Sequence, residues 1–211
     1  MQSGGESSGF RDPQVPMMRF HHLVFLVLFN LAVLVVPALA AEPIDDGRAF
    51  TFFVAGGRSI RTWHGQATIS SVHLEWSRPY RWKSQLALDI APYTIRQPRS
   101  WFGDQYHDGD ETVHAMAVAL ILRRTFRPQS VIHPYLEAGT GPLWATRRVP
   151  AATSHFNFAT QAGFGLILMA RPDFGLFAGY RFWHVSNGGL SSRNPGLNVN
   201  GIVIGSRLVG R

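Results

Sequence analysis

The 211-residue sequence contains no cysteine, and it has little charge and a single lysine, Lys83. Without thiols, the chain cannot form a disulfide scaffold, an iron–sulfur cluster, a thiolate zinc site or a cysteine nucleophile. Charged residues make up 16% of the chain against 45% hydrophobic residues, which excludes intrinsic disorder. The net charge of +7 is carried almost wholly by arginine, whose forked guanidinium binds phosphate and carboxylate. Nucleic acid, anionic lipid and a buried ion-pair network are therefore all open as partners of this charge.

The N-terminal region has the pattern of a secretory signal. A basic segment over residues 19–22 precedes an apolar run over residues 23–36, and Ala38-Leu39-Ala40 follows as a small-x-small cleavage site. The run is short for a spanning helix and is followed by Pro37, which disfavours the alternative of an uncleaved anchor helix. We therefore predict an upstream extension over residues 1–16, a signal peptide over residues 17–40 and a single domain over residues 41–211.

The remaining chain has no apolar stretch long enough for a transmembrane helix. It has segments of alternating character separated by turn residues, as in a membrane β-barrel. In the seventh segment Phe174, Leu176 and Tyr180 share one face, whereas Gly175 and Arg181 share the other. A soluble β-sandwich also alternates, but bulky apolar faces opposite faces of glycine and charge favour a small barrel with a packed lumen. We predict an all-β fold, an eight-stranded antiparallel transmembrane (outer-membrane) β-barrel, with strands over residues 49–57, 66–77, 83–97, 112–126, 132–147, 156–170, 173–186 and 197–209.

Interior charges and connection lengths agree with a barrel. Connections after even-numbered strands are short and those after odd-numbered strands are longer and polar, as expected for periplasmic turns and outer loops. Charged residues on the predicted lumen faces must pair with one another to be tolerated there. We expect such a network among Glu75, Asp89, Arg123, Glu137, Arg181 and Arg207.

Residue types suited to catalysis concentrate at the end of the seventh strand, in His184-Val185-Ser186. A period of two puts the His184 imidazole and the Ser186 hydroxyl on one strand face, where the imidazole can act as general base. That face is the one predicted to meet lipid, where polar side chains are costly and mark function. Asn198 has the parity to reach the same face from the eighth strand and orient the imidazole. The alternative, a turn-capping serine and asparagine beside an interfacial histidine, stays open on composition and spacing alone.

Three stretches resemble the outer-membrane lipid A 3-O-deacylase (PagL-like) family. They are His184-Val185-Ser186-Asn187 followed by Asn194-Pro195-Gly196; Pro134-Tyr135-Leu136-Glu137-Ala138-Gly139-Thr140-Gly141; and Phe156-Asn157-Phe158 leading into Gly163-Phe164-Gly165-Leu166. The resemblance implies an eight-stranded barrel in the bacterial outer membrane that hydrolyses the ester-linked acyl chain at the 3-position of lipid A. The implied mechanism needs no metal and no organic cofactor.

The resemblance also implies roles for individual residues. Ser186 is the expected nucleophile, His184 the general base, and Asn187 and Asn194 the stabilisers of the oxyanion through side chains or adjacent backbone amides. The sequence departs from the family at the third triad position, where Asn198 stands in place of a glutamate. Asparagine accepts the imidazole N–H but offers no charge to the imidazolium, which predicts a slower enzyme. A catalytically inert barrel with a structural or lipopolysaccharide-binding role is the alternative function.

Three other groups of polar residues are weaker candidates for a functional site. An oxygen-rich loop suits Ca²⁺ but lacks the ordered ligand pattern of a calcium loop: Asp104, His107, Asp108, Asp110 and Glu111. The histidines lack zinc-site spacing, so no metal site is predicted. Arg147, Arg148 and Arg193 are either ligands for lipid A phosphates or ordinary interfacial charges. The export signal disfavours nucleic acid as a partner and favours lipid A or lipopolysaccharide in the outer leaflet. The sequence does not decide between a monomer and a homodimer.

Overall fold

The computed structural model describes residues 47–60, 66–82, 84–99, 109–127, 130–151 and 153–210. Consecutive strands pair antiparallel along the whole chain, and β1 pairs with β8 to close the barrel. The strands are β1 (Ala49–Ser59), β2 (Thr68–Tyr80), β3 (Ser84–Pro98), β4 (Asp110–Thr125), β5 (Ile132–Ala145), β6 (Phe156–Arg171), β7 (Phe174–Ser186) and β8 (Leu197–Val209). The closed eight-stranded barrel confirms the predicted fold class and excludes the soluble sandwich.

The N-terminal predictions concern residues that precede the described part of the chain. The extension over residues 1–16 and the signal peptide over residues 17–40 lie outside the described residues. Within the described part, no helix is long and apolar enough to cross a membrane.

The observed strand ends differ from the predicted ends by up to three residues, and β2 and β4 show why strands extend beyond the hydrophobic pattern. β2 runs past the predicted end at residue 77, because Pro79 lies opposite Gln85 and Tyr80 opposite Ser84. β4 begins before the predicted residue 112, because Asp110 lies opposite Pro98. Apolar alternation marks only the stretch that faces an apolar medium, whereas the backbone ladder continues into the polar rims of the barrel.

Outward-facing side chains form an apolar wall. Phe50, Phe52 and Leu74 are more than half exposed, and the same holds for Leu120 and Ile202 on other strands. A continuous exposed apolar surface of this kind would be unfavourable in water but suits contact with lipid. The wall therefore follows directly from the period-two alternation of the strands.

Inward-facing side chains fill the lumen. Trp183, Phe53 and Phe177 are inaccessible to solvent, and Arg207 is 1% exposed and donates to Gln85 Oε1 at 2.9 Å. An eight-stranded barrel encloses a space that side chains can fill completely. The lumen is thus a packed core rather than a channel.

Five of the six charged residues of the expected lumen network pair with one another, whereas Arg207 donates to Gln85. Arg123 donates to both carboxylate oxygens of Glu75 at 2.6 and 2.7 Å and to Glu137 at 2.6 Å. Arg181 donates to the other oxygen of Glu137 at 2.8 Å, and a guanidinium nitrogen lies 3.7 Å from Asp89. Burial of these charges is tolerated because each contacts an opposite charge.

The connections segregate by length. Those after β1, β3, β5 and β7 span residues 60–67, 99–109, 146–155 and 187–196, and those after β2, β4 and β6 span residues 81–83, 126–131 and 172–173. Long loops mark the cell exterior in such barrels and short turns mark the periplasm. The end of β7 therefore lies at the outer rim.

Candidate active site and family assignment

His184 and Ser186 lie on the outward face at the outer end of β7. Their inward-facing neighbours Trp183 and Val185 are inaccessible in the lumen, whereas the outward-facing His184 is half-buried. Ser186 has the same parity as His184 but is only 4% exposed. The predicted common face is therefore present, and something outside the barrel wall covers the serine.

The cover is the β7–β8 loop (residues 187–196). A Cβ added at Gly188 would lie 3.4 Å from the ring of Phe158, the residue opposite Ser186 on β6. At the other end of the loop, a Cβ added at Gly196 would lie 2.7 Å from Cε1 of His184. The loop thus folds back onto the wall and makes a sheltered site where an open lipid surface would otherwise be.

Asn198 holds the imidazole from the neighbouring strand. His184 and Asn198 are register partners on β7 and β8, and the distance from His184 Nδ1 to Asn198 Oδ1 is 2.6 Å. An amide oxygen can only accept, so Nδ1 carries the proton in this contact. In the neutral imidazole this contact places the lone pair on Nε2, the form that a general base requires.

The serine and the histidine are neighbours without being bonded. Among the described residues, the structure contains no hydrogen bond between the Ser186 hydroxyl and the His184 imidazole. Residues two apart on a strand are separated by about 6–7 Å along the backbone, so a contact requires the side chains to lean together. In enzymes such bonds are often long before substrate binds.

Asn187 organises the loop above the serine. Its side-chain amide donates to the Arg193 carbonyl at 2.7 Å and to Ser191 Oγ at 3.2 Å, and its Oδ1 accepts from the Gly189 amide at 2.9 Å. Its backbone N–H donates to Asn194 Oδ1 at 3.1 Å. Both predicted oxyanion residues are therefore joined in one loop, and the Asn187 donors are engaged within it.

The structure separates the three arginines that the sequence groups as phosphate ligands. Arg147 and Arg148 are exposed in the connection after β5, where Arg147 lies 3.3 Å from Glu111. Arg193 belongs to the β7–β8 loop, beside the serine and histidine. All three lie at the outer end of the barrel.

The structure describes only part of the acidic loop. Asp104, His107 and Asp108 lie outside the described residues, whereas Asp110 accepts from Arg96 and Glu111 from Gln97. In the part of the chain that the structure describes, no three His, Asp or Glu side chains are grouped to hold a metal ion.

Residues 70–207, which make up well over half of the chain, match the family described as Lipid A 3-O-deacylase (PagL). The chain belongs to this family. PagL-family barrels reside in the outer membrane of Gram-negative bacteria, and the apolar wall and loop lengths agree with that location.

Solved structures show the same fold at low identity. The outer-membrane enzyme PagL is 21% identical with a TM-score of 0.52, and the match covers 75% of this chain and 98% of that one. Neisserial surface protein A is 16% identical with a TM-score of 0.56, covering 77% and 98%. No curated protein sequence matches the chain significantly. At these identities the structural likeness establishes the barrel alone.

This PagL-family barrel also contains a serine–histidine–aspartate group that hydrophobic patterning does not predict. Inside the lumen, Ser71 Oγ lies 2.8 Å from His73 Nε2, and His73 Nδ1 lies 2.9 Å from Asp89. Ser71 is 6% exposed and His73 is inaccessible, stacked on Phe53 at 4.2 Å. Ser71-x-His73 has the same spacing as His184-x-Ser186 with the two residue types in the opposite order. Its side chains face the lumen, whereas those of His184 and Ser186 face outward. The three groups satisfy one another within the packed core.

Proposed function

We propose that this barrel is an outer-membrane serine esterase that hydrolyses an ester-linked acyl chain of lipid A at the 3-position. The observation that carries the proposal is the His184–Asn198 hydrogen bond beside Ser186 on a lipid-facing wall at the outer rim. Polar groups there are costly unless they serve a substrate that lies in the membrane. Membership of the PagL family supplies lipid A as the substrate class.

The reaction proceeds through an acyl-enzyme. Ser186 Oγ attacks the ester carbonyl carbon while His184 Nε2 takes the hydroxyl proton. Collapse of the tetrahedral intermediate breaks the bond to the lipid A oxygen, which leaves as an alcohol with the proton from His184. Water then attacks the acyl-enzyme with His184 as base again, and the free fatty acid departs.

Asn194 is better placed than Asn187 to stabilise the oxyanion. The Asn187 donors hold the loop, whereas Asn194 accepts from Asn187 through Oδ1 and keeps its side-chain amide donors for a substrate oxygen. A donor of this kind acts where negative charge develops in the transition state. Arg193, on the same loop, is the first candidate for a lipid A phosphate, with Arg147 and Arg148 further along the rim.

Mass spectrometry of lipid A tests the function. Cells that express the wild-type barrel should lose one acyl chain, assigned to the 3-position by fragmentation, and cells that express Ser186→Ala should not. Ser192→Ala, an exposed serine of the same loop, is the matched control and should retain the loss. Unchanged lipid A from a well-folded wild type would refute the proposal.

The second candidate is an inert barrel, favoured by one specific observation. Asn198 is neutral, so the hydrogen bond to His184 orients the ring without stabilising its positive charge. If the site has decayed at this position, Asn198→Glu should create activity that the wild type lacks. A wild type that is already active excludes the inert barrel.

A further inference from the structure

Two arginines lie side by side at the periplasmic end of the barrel wall. Ala49 on β1 lies opposite Ser77 on β2, and Arg48 and Arg78 are the next residues toward the periplasm. Both arginines are exposed whereas Ala49 and Ser77 are inaccessible, so the arginines belong to the outward face. Opposite residues on antiparallel strands have Cα atoms about 4.5–5.5 Å apart. The Arg48–Arg78 pair therefore places two positive charges on neighbouring strands.

Backbone hydrogen bonds hold both members of the pair in the sheet. The Gly210 amide, at the end of β8, donates to the Arg48 carbonyl at 2.7 Å. On the other side, Arg78 lies opposite Leu86 within the β2–β3 ladder. The two arginines cannot move apart through the backbone without breaking these bonds, so only their side chains can adjust.

The charge of the pair is not balanced by the protein around it. Like charges directly opposite each other on neighbouring strands are destabilising. On the same periplasmic rim, Arg171 has a carboxylate partner, Asp173, at 3.7 Å. Among the residues that the structure describes, neither Arg48 nor Arg78 forms an ion pair. An anion between the two guanidiniums would replace this repulsion with charge-assisted hydrogen bonds.

The wall next to the pair is suited to the upper part of a lipid. Phe50 lies opposite Trp76 one step further into the membrane, and Phe50 is 53% exposed. Tyr80, on the periplasmic side, is 44% exposed. Aromatic side chains at both edges of an apolar wall lie at the level of lipid headgroups. The pair is therefore level with the phosphates of the periplasmic leaflet, beside a surface that acyl chains can contact.

We propose that the Arg48–Arg78 pair binds the phosphate of an anionic glycerophospholipid, such as phosphatidylglycerol, in the periplasmic leaflet. The guanidiniums donate to the phosphate oxygens, and the acyl chains lie along Phe50 and Trp76. A zwitterionic headgroup brings an ammonium close to two positive charges, so it binds more weakly. The site lies at the opposite end of the barrel from Ser186 and does not depend on the proposed esterase.

Native mass spectrometry of the purified, refolded full barrel tests the binding. Phosphatidylglycerol and phosphatidylcholine with the same acyl chains are titrated separately, and their dissociation constants are compared. Each arginine near an anionic lipid contributes about fivefold in affinity. The double variant Arg48→Gln with Arg78→Gln should therefore bind phosphatidylglycerol about thirtyfold more weakly and phosphatidylcholine almost unchanged. Arg171→Gln is the matched control and should lose much less, because its charge is already paired.

Loss of folding is separated from loss of binding by urea unfolding without anionic lipid. The double variant removes the repulsion between the two strands, so its unfolding midpoint should be no lower than that of the wild type. Added phosphatidylglycerol should raise the midpoint of the wild type and have little effect on the double variant, because a ligand stabilises only the state that binds it.

Backbone amide resonances locate the lipid and identify its chemistry. In the wild type, the amides of Arg48 and Arg78 should shift with phosphatidylglycerol, and much less with phosphatidylcholine or inorganic phosphate at the same concentration. Equal shifts with inorganic phosphate would overturn the assignment to a lipid. Equal affinity of the wild type and the double variant for phosphatidylglycerol, or no shift at the two arginines, would overturn the site itself.

Discussion

Gly196 offers the sharpest test of the geometry around His184. It has a φ of 69°, and an added Cβ would lie 2.7 Å from Cε1, 3.4 Å from Nε2 and 3.5 Å from Nδ1 of the imidazole. Gly196→Ala therefore introduces two separate costs. One is backbone strain in the left-handed region, and the other is a collision with the proposed general base.

The collision sets the expected loss of activity. Carbon atoms in contact prefer about 3.5–4.0 Å, so the imidazole must move by roughly 1 Å. That movement lengthens the 2.6 Å bond to Asn198 and misdirects Nε2. Misplacement by 1 Å costs about a hundredfold in rate. The strain alone costs about 1–2 kcal/mol of stability.

Gly189→Ala separates the collision from the strain. Gly189 belongs to the same loop and has a φ of 85°, but an added Cβ would meet nothing within 4 Å. Both variants should lower the midpoint of urea unfolding through the backbone strain that they share, whereas only Gly196→Ala should lower kcat/KM on p-nitrophenyl octanoate by about a hundredfold. Equal losses of activity in the two variants, or full activity in Gly196→Ala, would refute the arrangement of His184 under the loop.

Two further predictions concern charge. Asn198→Asp places a carboxylate where Oδ1 now lies 2.6 Å from His184. A unit charge at about 4 Å contributes ~4 kcal/mol at an effective dielectric constant of about 20. Half-exposure reduces this to about 1–2 kcal/mol. The hydrolysis rate should therefore rise about tenfold. Asn200→Asp, on the same wall but hydrogen-bonded to Tyr180, should not raise the rate, and an equal rise there would contradict a specific role for Asn198. In the lumen, Arg123→Met removes both hydrogen bonds to Glu75 and should lower the free energy of unfolding by about 3–5 kcal/mol. Arg147→Met, at an exposed pair, should cost less than about 1 kcal/mol in the same urea titration, and equal losses would contradict the lumen network.

Sequence patterns predict much of this barrel because period-two alternation assigns each side chain to the wall or the lumen. The eight strands and the inward direction of Arg181 follow from that parity alone. The partners inside the lumen do not, because they depend on strand stagger. Arg123 on β4 reaches Glu75 on β2, a contact that no local pattern encodes.

The candidate site divides in the same way. His184, Ser186 and Asn198 share a face by parity, and β7–β8 pairing places His184 opposite Asn198. The closure of the site by Asn187, Gly188 and Gly196 depends on the loop path, which hydrophobic patterning does not describe.

Covalent labelling tests most directly whether Ser186 is a nucleophile activated by His184. An alkyl fluorophosphonate reacts with activated serines by loss of fluoride, and peptide mapping by mass spectrometry locates the adduct. The folded wild type should carry one adduct, on Ser186, that is absent in Ser186→Ala and strongly reduced in His184→Ala. Ser71 should stay unlabelled, because it is 6% exposed inside the packed lumen. A folded barrel without an adduct, or labelling of Ser186 that persists in His184→Ala, would contradict the proposed site.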